Sequence, residues 1–262
     1  MRGISRLSLL VIAWVPLFVF AGSHQPKPLS MDELARRATF AKKVEIALAE
    51  RGARVAIVAR RGRPLEAMPA GIRYTHVGFA LYSNITTADG RSLPGYAFYN
   101  LYQNGDRSIL KTDYPVDFFS TTTPSPAGVL IPEPELQRRL ITIITGPLYR
   151  GLHRSEYSVL ANPYDRRFQN CTEFVIDVIT AALYQTDDLA QIKANERAHF
   201  NAHRVRLSQF KLRLGVIFRD GIRTSDHDGP VYTATFQSIE NYLKKHHALL
   251  ESFEMAPGLG SL

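Results

Sequence analysis

The sequence is poor in cysteine, and Cys171 is the only one among its 262 residues. A single thiol cannot close a disulfide within the chain, and it cannot supply the several thiolates of a zinc or iron–sulfur framework. The chain also has no glycine-rich phosphate-binding motif and no Gly-x-Ser-x-Gly motif. Sequence motifs therefore give no support to phosphoryl transfer or to serine hydrolysis.

The remaining composition is that of an ordinary globular protein. Apolar residues make up 45% of the chain and charged residues 21%, which excludes disorder or fibrous repeats over the whole length. The 32 Lys and Arg outnumber the 24 Asp and Glu, so the formal net charge is +8. The length is sufficient for one large domain or two small ones, and we expect a single domain over residues 31–250.

The first 21 residues have the pattern of a secretory signal peptide. Arg2 and Arg6 precede an almost wholly apolar run, Leu7–Phe20, and small residues follow it. This run is shorter than the roughly 20 residues that a membrane-spanning helix needs, although a retained N-terminal anchor is the alternative. Cleavage would remove two arginines and no acid, which lowers the net charge from +8 to +6. We expect a flexible leader over 22–30 and a periplasmic or secreted protein.

Apolar periodicity and turn signals predict an α+β fold, with an antiparallel sheet and helices packed around it. The predicted helices cover residues 31–50, 135–145, 170–184 and 187–203. The predicted strands cover residues 54–60, 73–82, 95–103, 157–160 and 210–219. Residues 121–134 are rich in Thr, Ser and Pro and are predicted to form a loop. We expect a last strand or helix over 231–247 and a disordered tail over 251–262.

Cys171 lies in the first turn of the predicted helix 170–184, on its apolar stripe. A thiol at this place faces the positive end of the helix dipole, which favours the thiolate, and nearby amides can stabilise an oxyanion. The alternative is an inert core cysteine. In an oxidising compartment structural cysteines normally come in pairs and an idle thiol is open to oxidation, which favours a nucleophile.

A thiol nucleophile needs a base, usually histidine, and His76 is the strongest candidate among eight. It lies in the strand pattern Tyr-Thr-His-Val-Gly-Phe, where Gly78 shares its face and permits another group to approach closely. His153, in a short polar connection, is an alternative base. His199 and His203 have the i, i+4 spacing of zinc ligands, but their flanks have the pattern of a solvated helix face. We therefore predict no metal and no cofactor.

The order of these motifs resembles that of a known superfamily. The chain has a strand of the form His-Val-Gly-aromatic (76–79), then a second strand, and then the motif Asn-Cys-x-x-Phe-Val at the start of a helix (170–175). This order is similar to that of the circularly permuted papain-like hydrolases. That group includes permuted NlpC-type peptidases and lecithin retinol acyltransferase-like enzymes, in which histidine precedes cysteine. Glu173 stands where their Asn-Cys-Glu-His-Phe-Val motif has its histidine. Most of the mature chain also resembles an uncharacterised exported bacterial family, domain-of-unknown-function family 2145.

The resemblance implies a permuted papain-like (NlpC-type) fold in which Cys171 attacks a carbonyl while His76 accepts and later returns the proton. It also implies a polar residue on the strand after the histidine. Asn100 occupies that place, and its side-chain carbonyl can hold the imidazole in one tautomer. The alternative is that Asn100 merely ends the strand.

Four further residues are candidates for the surroundings of this pair. Asn170 and Gln169 are candidates for an oxyanion or other polar contribution. Tyr99, with Tyr102, is a candidate for the wall of the cleft, unless both are simply packed strand aromatics. We expect the substrate to be a peptide, amide or lipid-like molecule. Amides are favoured over esters because exported members of the resembling group often cut cell-wall peptides.

The sequence thus predicts an exported thiol hydrolase or acyltransferase that acts on an amide or ester. The alternative is a non-catalytic envelope protein that makes peripheral contact with anionic surfaces through basic segments. These segments are Arg60-Arg61-Gly62-Arg63, Arg138-Arg139, Arg166-Arg167 and Lys244-Lys245. We expect no nucleic-acid partner, because the chain is predicted to be exported and no stacking aromatics are interleaved with the basic pairs.

Overall fold

The computed structural model describes residues 30–62, 65–86, 89–120, 126–206 and 221–257. The predicted signal peptide and nearly all of the predicted leader lie outside these residues. The helices are α1 (Met31–Glu50), α2 (Pro115–Phe119), α3 (Pro134–Thr145), α4 (Pro147–Gly151), α5 (Cys171–Tyr184), α6 (Leu189–His199) and α7 (Phe236–Lys245). The strands are β1 (Val55–Arg60), β2 (His76–Thr86), β3 (Ser92–Asn104), β4 (Arg107–Asp113), β5 (Ala127–Pro132), β6 (His203–Arg204), β7 (Tyr232–Thr233) and β8 (Leu249–Met255).

Six of the strands form one antiparallel sheet in the order β4-β3-β2-β1-β5-β8. Strands β6 and β7 form a separate antiparallel pair. Because helices pack against a mainly antiparallel sheet, the predicted α+β class is confirmed. None of the helices in the described part of the chain is long and apolar enough to span a membrane.

The sheet separates two hydrophobic cores, because successive strand residues point to opposite faces. One core contains Val77 and Phe79 of β2 and packs against α3 and α5. The other contains Ala80 of β2 and packs against α1 and α2. Alternation from Ala80 places His76, four residues earlier, on this second face.

Helix α1 begins where its local sequence predicts. The Ser30 hydroxyl accepts a hydrogen bond from the Glu33 amide at 3.2 Å, and the Glu33 carboxylate accepts one from the Ser30 amide at 3.0 Å. This reciprocal capping box satisfies two backbone donors that the helix itself leaves unpaired. The buried residues Phe40 and Val44 then attach α1 to the sheet.

Several predicted elements need correction. The predicted loop 121–134 contains β5, which is buried along its whole length between β1 and β8. The strand has only six residues, and the Thr, Ser and Pro residues around it dominate the composition of the segment, which therefore has the pattern of a loop. The predicted disordered tail is also wrong for residues 251–255, which continue β8 along β5. The predicted strand 157–160 is reduced to one isolated bridge, and the predicted strand 210–219 lies outside the described residues.

Candidate active site

Cys171 is the first residue of α5, and Asn170 fixes the start of that helix. The Asn170 side-chain carbonyl accepts hydrogen bonds from the Glu173 amide at 2.9 Å and from the Thr172 hydroxyl at 2.8 Å. Its amide group donates to the Val159 carbonyl at 3.0 Å. Asn170 therefore acts as a helix N-cap, and both ends of its side chain are engaged within the fold.

The Cys171 thiol is buried, with 9% of the residue exposed. Burial raises the pKa of Cys171, although the Val77 amide, the charge of Arg60 and the amides at the start of α5 act to lower it. This corrects the expectation that the helix N-terminus favours the thiolate, because desolvation outweighs these contributions. At neutral pH the group is a thiol.

His76 is the first residue of β2, and its ring is held on several sides. Its Nε2 atom lies 3.1 Å from the side-chain carbonyl oxygen of Asn100. Tyr102 stacks on the ring with centroids 4.6 Å apart and an interplanar angle of 9°, and the Phe118 ring lies 5.7 Å away. Since a carbonyl oxygen can only accept, Nε2 carries the proton and Nδ1 has the free lone pair.

The orientation of Asn100 follows from its other contacts. Its amide group donates to the Phe98 carbonyl at 3.0 Å and to the Asp113 carboxylate at 3.2 Å. Both partners are acceptors, so the amide nitrogen must face them and the carbonyl oxygen must face His76. The structure thus joins the two predicted residues Asn100 and His76 by a hydrogen bond.

His76 is neutral at physiological pH. Burial, and next the positive charge of Arg60, hold its pKa well below the usual value, while the hydrogen bond to Asn100 acts in the opposite direction. A neutral imidazole with a free Nδ1 can accept a proton, whereas an imidazolium cannot.

Cys171 and His76 approach the sheet from different sides. Cys171 belongs to the core that contains α5, whereas His76 faces α1 and α2 with Asn100. The pairing of β2 with β3 begins at Gly78 and Asn100, so the Val77 amide lies beyond the end of that ladder. This amide faces the Cys171 sulfur instead. The thiol therefore contacts the backbone of the residue that directly follows His76.

The other predicted site residues lie away from His76. Gln169 is fully buried, and its side chain accepts from the Arg154 amide at 2.8 Å and donates to the Leu152 carbonyl at 3.1 Å. Tyr99 packs on the α5 side of the sheet, edge-on to Tyr149. Gln169 thus holds the loop before α5, and Tyr99 is a packed strand aromatic.

The histidines weighed as alternatives have separate surroundings. The Nε2 atom of His153 lies 3.0 Å from the Ser108 hydroxyl. His199 ends α6, whereas His203 lies in β6, so this pair does not share a helix face. Within the described ranges, no group of three or more His, Cys, Asp and Glu residues is arranged to hold a metal ion.

Sequence reasoning missed three residues around the candidate pair, which are Arg60, Asp113 and Tyr157. Arg60 was assigned to a basic surface turn, but it is buried with 7% exposed and lies opposite His76 in the β1–β2 register. Asp113 accepts hydrogen bonds from Asn100 and, at 2.5 Å, from the Tyr102 hydroxyl. Tyr157 lies beside the thiol, and burial, and next the negative charge that Cys171 carries when it is ionised, raise the pKa of the Tyr157 hydroxyl. None of these three residues has a local sequence pattern that points to the site.

Glu173, at the position of the superfamily histidine, belongs to a buried charge cluster. Lys193 contacts Glu173 and Asp177 at 2.5 Å each and Glu196 at 2.9 Å. Arg154 contacts Asp177 at 3.0 Å and also pairs with Glu173. Burial, and next the neighbouring Asp177, raise the pKa of Glu173 to about 7. These five residues, here called the buried charge cluster, connect α5 to α6.

The basic pairs required by the envelope-binding alternative have acidic neighbours in the chain. Glu135 pairs with Arg138 and Arg139. Arg167 pairs with Asp165 at 2.9 Å, and Lys244 pairs with Glu240 at 2.6 Å. These contacts reduce the positive charge that those segments present to an anionic surface.

Comparison with known proteins gives one finding. No curated protein and no solved structure matches the chain. One family model matches residues 47–243, which is more than half of the length. The matched region includes the candidate residues Cys171, His76 and Asn100 and the whole buried charge cluster. The chain belongs to the bacterial family described as "Uncharacterized protein conserved in bacteria (DUF2145)".

Proposed function

We propose that this protein is a cysteine hydrolase or acyltransferase of permuted papain-like fold, acting on an amide or ester. The observation that carries the proposal is the 3.1 Å contact between His76 Nε2 and the Asn100 side-chain carbonyl. This contact fixes the ring so that Nδ1 is the proton acceptor, and it lies next to the strand residue whose amide faces the Cys171 sulfur. A neutral histidine held in this orientation can act as a general base.

The fold assignment rests on the order and placement of the elements. A histidine begins β2, a polar residue on the adjacent β3 contacts it, and a cysteine begins a later helix that packs against the same sheet. This is the arrangement that the resemblance to permuted papain-like enzymes implies. The proposed compartment is the periplasm or the exterior, on the basis of the signal-peptide pattern.

The proposed reaction starts from a neutral thiol and a neutral imidazole. As the Cys171 sulfur bonds to the substrate carbonyl carbon, His76 Nδ1 takes the thiol proton. The amides of Cys171 and Thr172 at the start of α5 are the proposed donors to the oxyanion. His76 then gives its proton to the leaving amine or alcohol as the carbon–heteroatom bond breaks. Water, or a second acceptor in a transferase, releases the acyl group from sulfur.

The test is the pH dependence of Cys171 alkylation by a neutral haloacetamide. If His76 takes the thiol proton as the sulfur attacks, the reacting form is the neutral thiol–imidazole pair, and its population, and hence the rate, is independent of pH between about 6 and 8. Without a base the rate of a thiol rises about tenfold per pH unit below its pKa. We expect the plateau in the wild type and in His153→Ala, and a continuous rise in His76→Ala.

A wild type without the plateau contradicts the proposal. Loss of the plateau in His153→Ala, but not in His76→Ala, would also contradict it, because His153 would then be the base. A chain that shows no plateau but binds anionic vesicles would favour the envelope-binding alternative. A panel of aminoacyl and fatty-acyl amides and esters, assayed with Cys171→Ser as the inactive control, then identifies the reaction.

A further inference from the structure

Arg60 is a buried cation at the end of β1, next to the candidate site. It lies opposite His76 in the sheet, and its guanidinium carbon lies 5.3 Å from the Phe118 ring centre. Burial lowers the pKa of His76 and raises the pKa of Tyr102 and of Cys171, and the charge of Arg60 acts to lower the pKa of all three groups. The Arg60 side chain also interacts with the Tyr102 hydroxyl. Arg60 is therefore close to both members of the proposed catalytic pair.

Within the described part of the chain, Arg60 forms no ion pair with a carboxylate, and its buried Nε atom has no hydrogen-bond partner. More exposed arginines do have such partners, for example Arg51 with Glu251 at 3.0 Å and Arg73 with Glu254 at 2.8 Å. A buried cation without a counter-charge is costly, because the protein replaces its lost hydration only in part. Such a group needs an explanation beyond stability.

We propose that Arg60 binds a carboxylate of the substrate, close to the carbonyl that Cys171 attacks. The planar guanidinium is suited to a carboxylate, which it can bind through two parallel hydrogen bonds. The substrate is then an acyl compound with a carboxylate near the scissile bond, as in a peptide with an acidic or C-terminal residue at that point. This inference rests on the proposed function for the reaction, while the carboxylate site can be measured separately.

The experiment compares iodoacetate with iodoacetamide as alkylating agents for Cys171. In both reactions the thiolate sulfur forms a bond to carbon and iodide leaves, so the two reagents differ mainly in the carboxylate. The ratio of the two rate constants is measured in the folded wild type and in the urea-unfolded chain. It is also measured in Arg60→Gln, in Arg60→Lys and in Arg54→Gln. Arg54 is exposed and directly precedes the same strand at its other end.

We expect the iodoacetate-to-iodoacetamide ratio to be about tenfold or more higher in the folded wild type than in the unfolded chain. Arg60→Gln should abolish this preference, Arg60→Lys should retain part of it, and Arg54→Gln should retain it all. If Arg60→Gln does not fold, the wild-type comparison and Arg60→Lys still decide.

Equal ratios in folded and unfolded wild type overturn the proposal, and so does a site that neither reagent can enter. A preference that persists in Arg60→Gln overturns it as well. The iodoacetamide rates of wild type and His76→Ala test the base independently. If the wild type shows no pH-independent alkylation rate but keeps the Arg60-dependent preference for iodoacetate, the proposed function is refuted and the carboxylate site is retained.

Discussion

The side chain of Asn100 occupies the space that a β-carbon on residue 78 would need. Gly78 and Asn100 are direct partners in the β2–β3 register, and a Cβ at Gly78 would overlap the Asn100 Oδ1 atom. The same hypothetical Cβ would lie 2.9 Å from the Tyr99 carbonyl oxygen. The absence of a side chain at position 78 thus lets Asn100 lie across the neighbouring strand and reach His76.

Gly78→Ala should therefore disturb the site more than the fold. The added methyl group displaces the Asn100 amide, which removes its contact with His76, and overpacking of this kind costs about 1–3 kcal/mol. We expect the pH-independent alkylation of Cys171 to be lost while the protein still unfolds cooperatively in urea. Gly95→Ala, on the same sheet but with its nearest contact at 3.2 Å, is the control and should retain the plateau. Retention of the plateau in Gly78→Ala would show that Asn100 has no positioning role.

Asp113 should act on His76 through Asn100. Its carboxylate accepts from the Asn100 amide and from the Tyr102 hydroxyl, so Asp113→Ala removes one of the two acceptors that orient Asn100 and leaves only the Phe98 carbonyl. We expect the plateau rate of alkylation to fall by about tenfold or more, since a catalytic base loses efficiency when its orientation is lost. Lys111→Met is the matched control, because exposed Lys111 pairs with the other Asp113 oxygen at 2.8 Å. A fall of equal size in both variants would indicate only a structural effect.

Glu173 should make the stability of the protein fall as the pH rises from about 4.5 to about 7. The pKa of Glu173 is raised from 4.5 to about 7 by burial and by Asp177. A carboxyl whose folded pKa is raised binds its proton more tightly in the folded state, so its contribution is complete below pH 4.5 and is lost as the pH passes 7. A shift of this size corresponds to about 3 kcal/mol.

The measurement is urea unfolding of wild type and Glu173→Gln at several values between pH 4.5 and 8. The glutamine imitates the protonated acid, so we expect the variant to gain stability relative to the wild type as the pH rises. The pKa of His76 is lowered, so its contribution to the free energy of unfolding is lost as the pH falls below about 6.5. This contribution is the same in both proteins and cancels in the difference. Glu135→Gln, at an exposed ion pair, is the control. A difference that does not vary with pH would contradict the prediction.

Lys193→Met should be strongly destabilising at neutral pH and partly rescued by acid. Lys193 contacts three buried carboxylates, and its removal leaves Arg154 alone to balance them. Loss of one partner from a buried charge group costs about 3–5 kcal/mol. Lower pH should restore part of this loss, because the folded variant then takes up protons on Glu173 and Glu196. Lys244→Met, at a solvent-exposed pair, should change stability by less than about 1 kcal/mol. Destabilisation that is equal at pH 5 and pH 8 would contradict this account.

Local signals predicted the elements that depend on neighbouring residues. The capping box at Ser30 and Glu33 lies within four residues, and helix α5 has an apolar face and an N-cap that can be read from the sequence. Those elements are confirmed. The strand positions of His76 and Asn100 were also predicted, and their mutual contact followed from the resemblance to permuted papain-like enzymes.

Features that depend on distant packing could not be predicted. Arg60 begins a basic run that has the pattern of a surface turn, but in the fold it is buried and its guanidinium lies against the Phe118 ring of α2. The buried charge cluster joins Arg154, Glu173 and Lys193, which belong to three separate segments. Each of these residues has the pattern of an exposed surface group when it is considered alone, because its partner is about 20 positions away.

The division of the site between two cores has a consequence for how the family can change. The thiol is attached to the packing around α5, and the imidazole to the packing around α1 and α2, with β2 as their common wall. Substitutions in one core can therefore change the surroundings of one of these side chains while those of the other stay the same. The proposed nucleophile and the proposed base can thus vary separately, and only the first residues of β2 contact both.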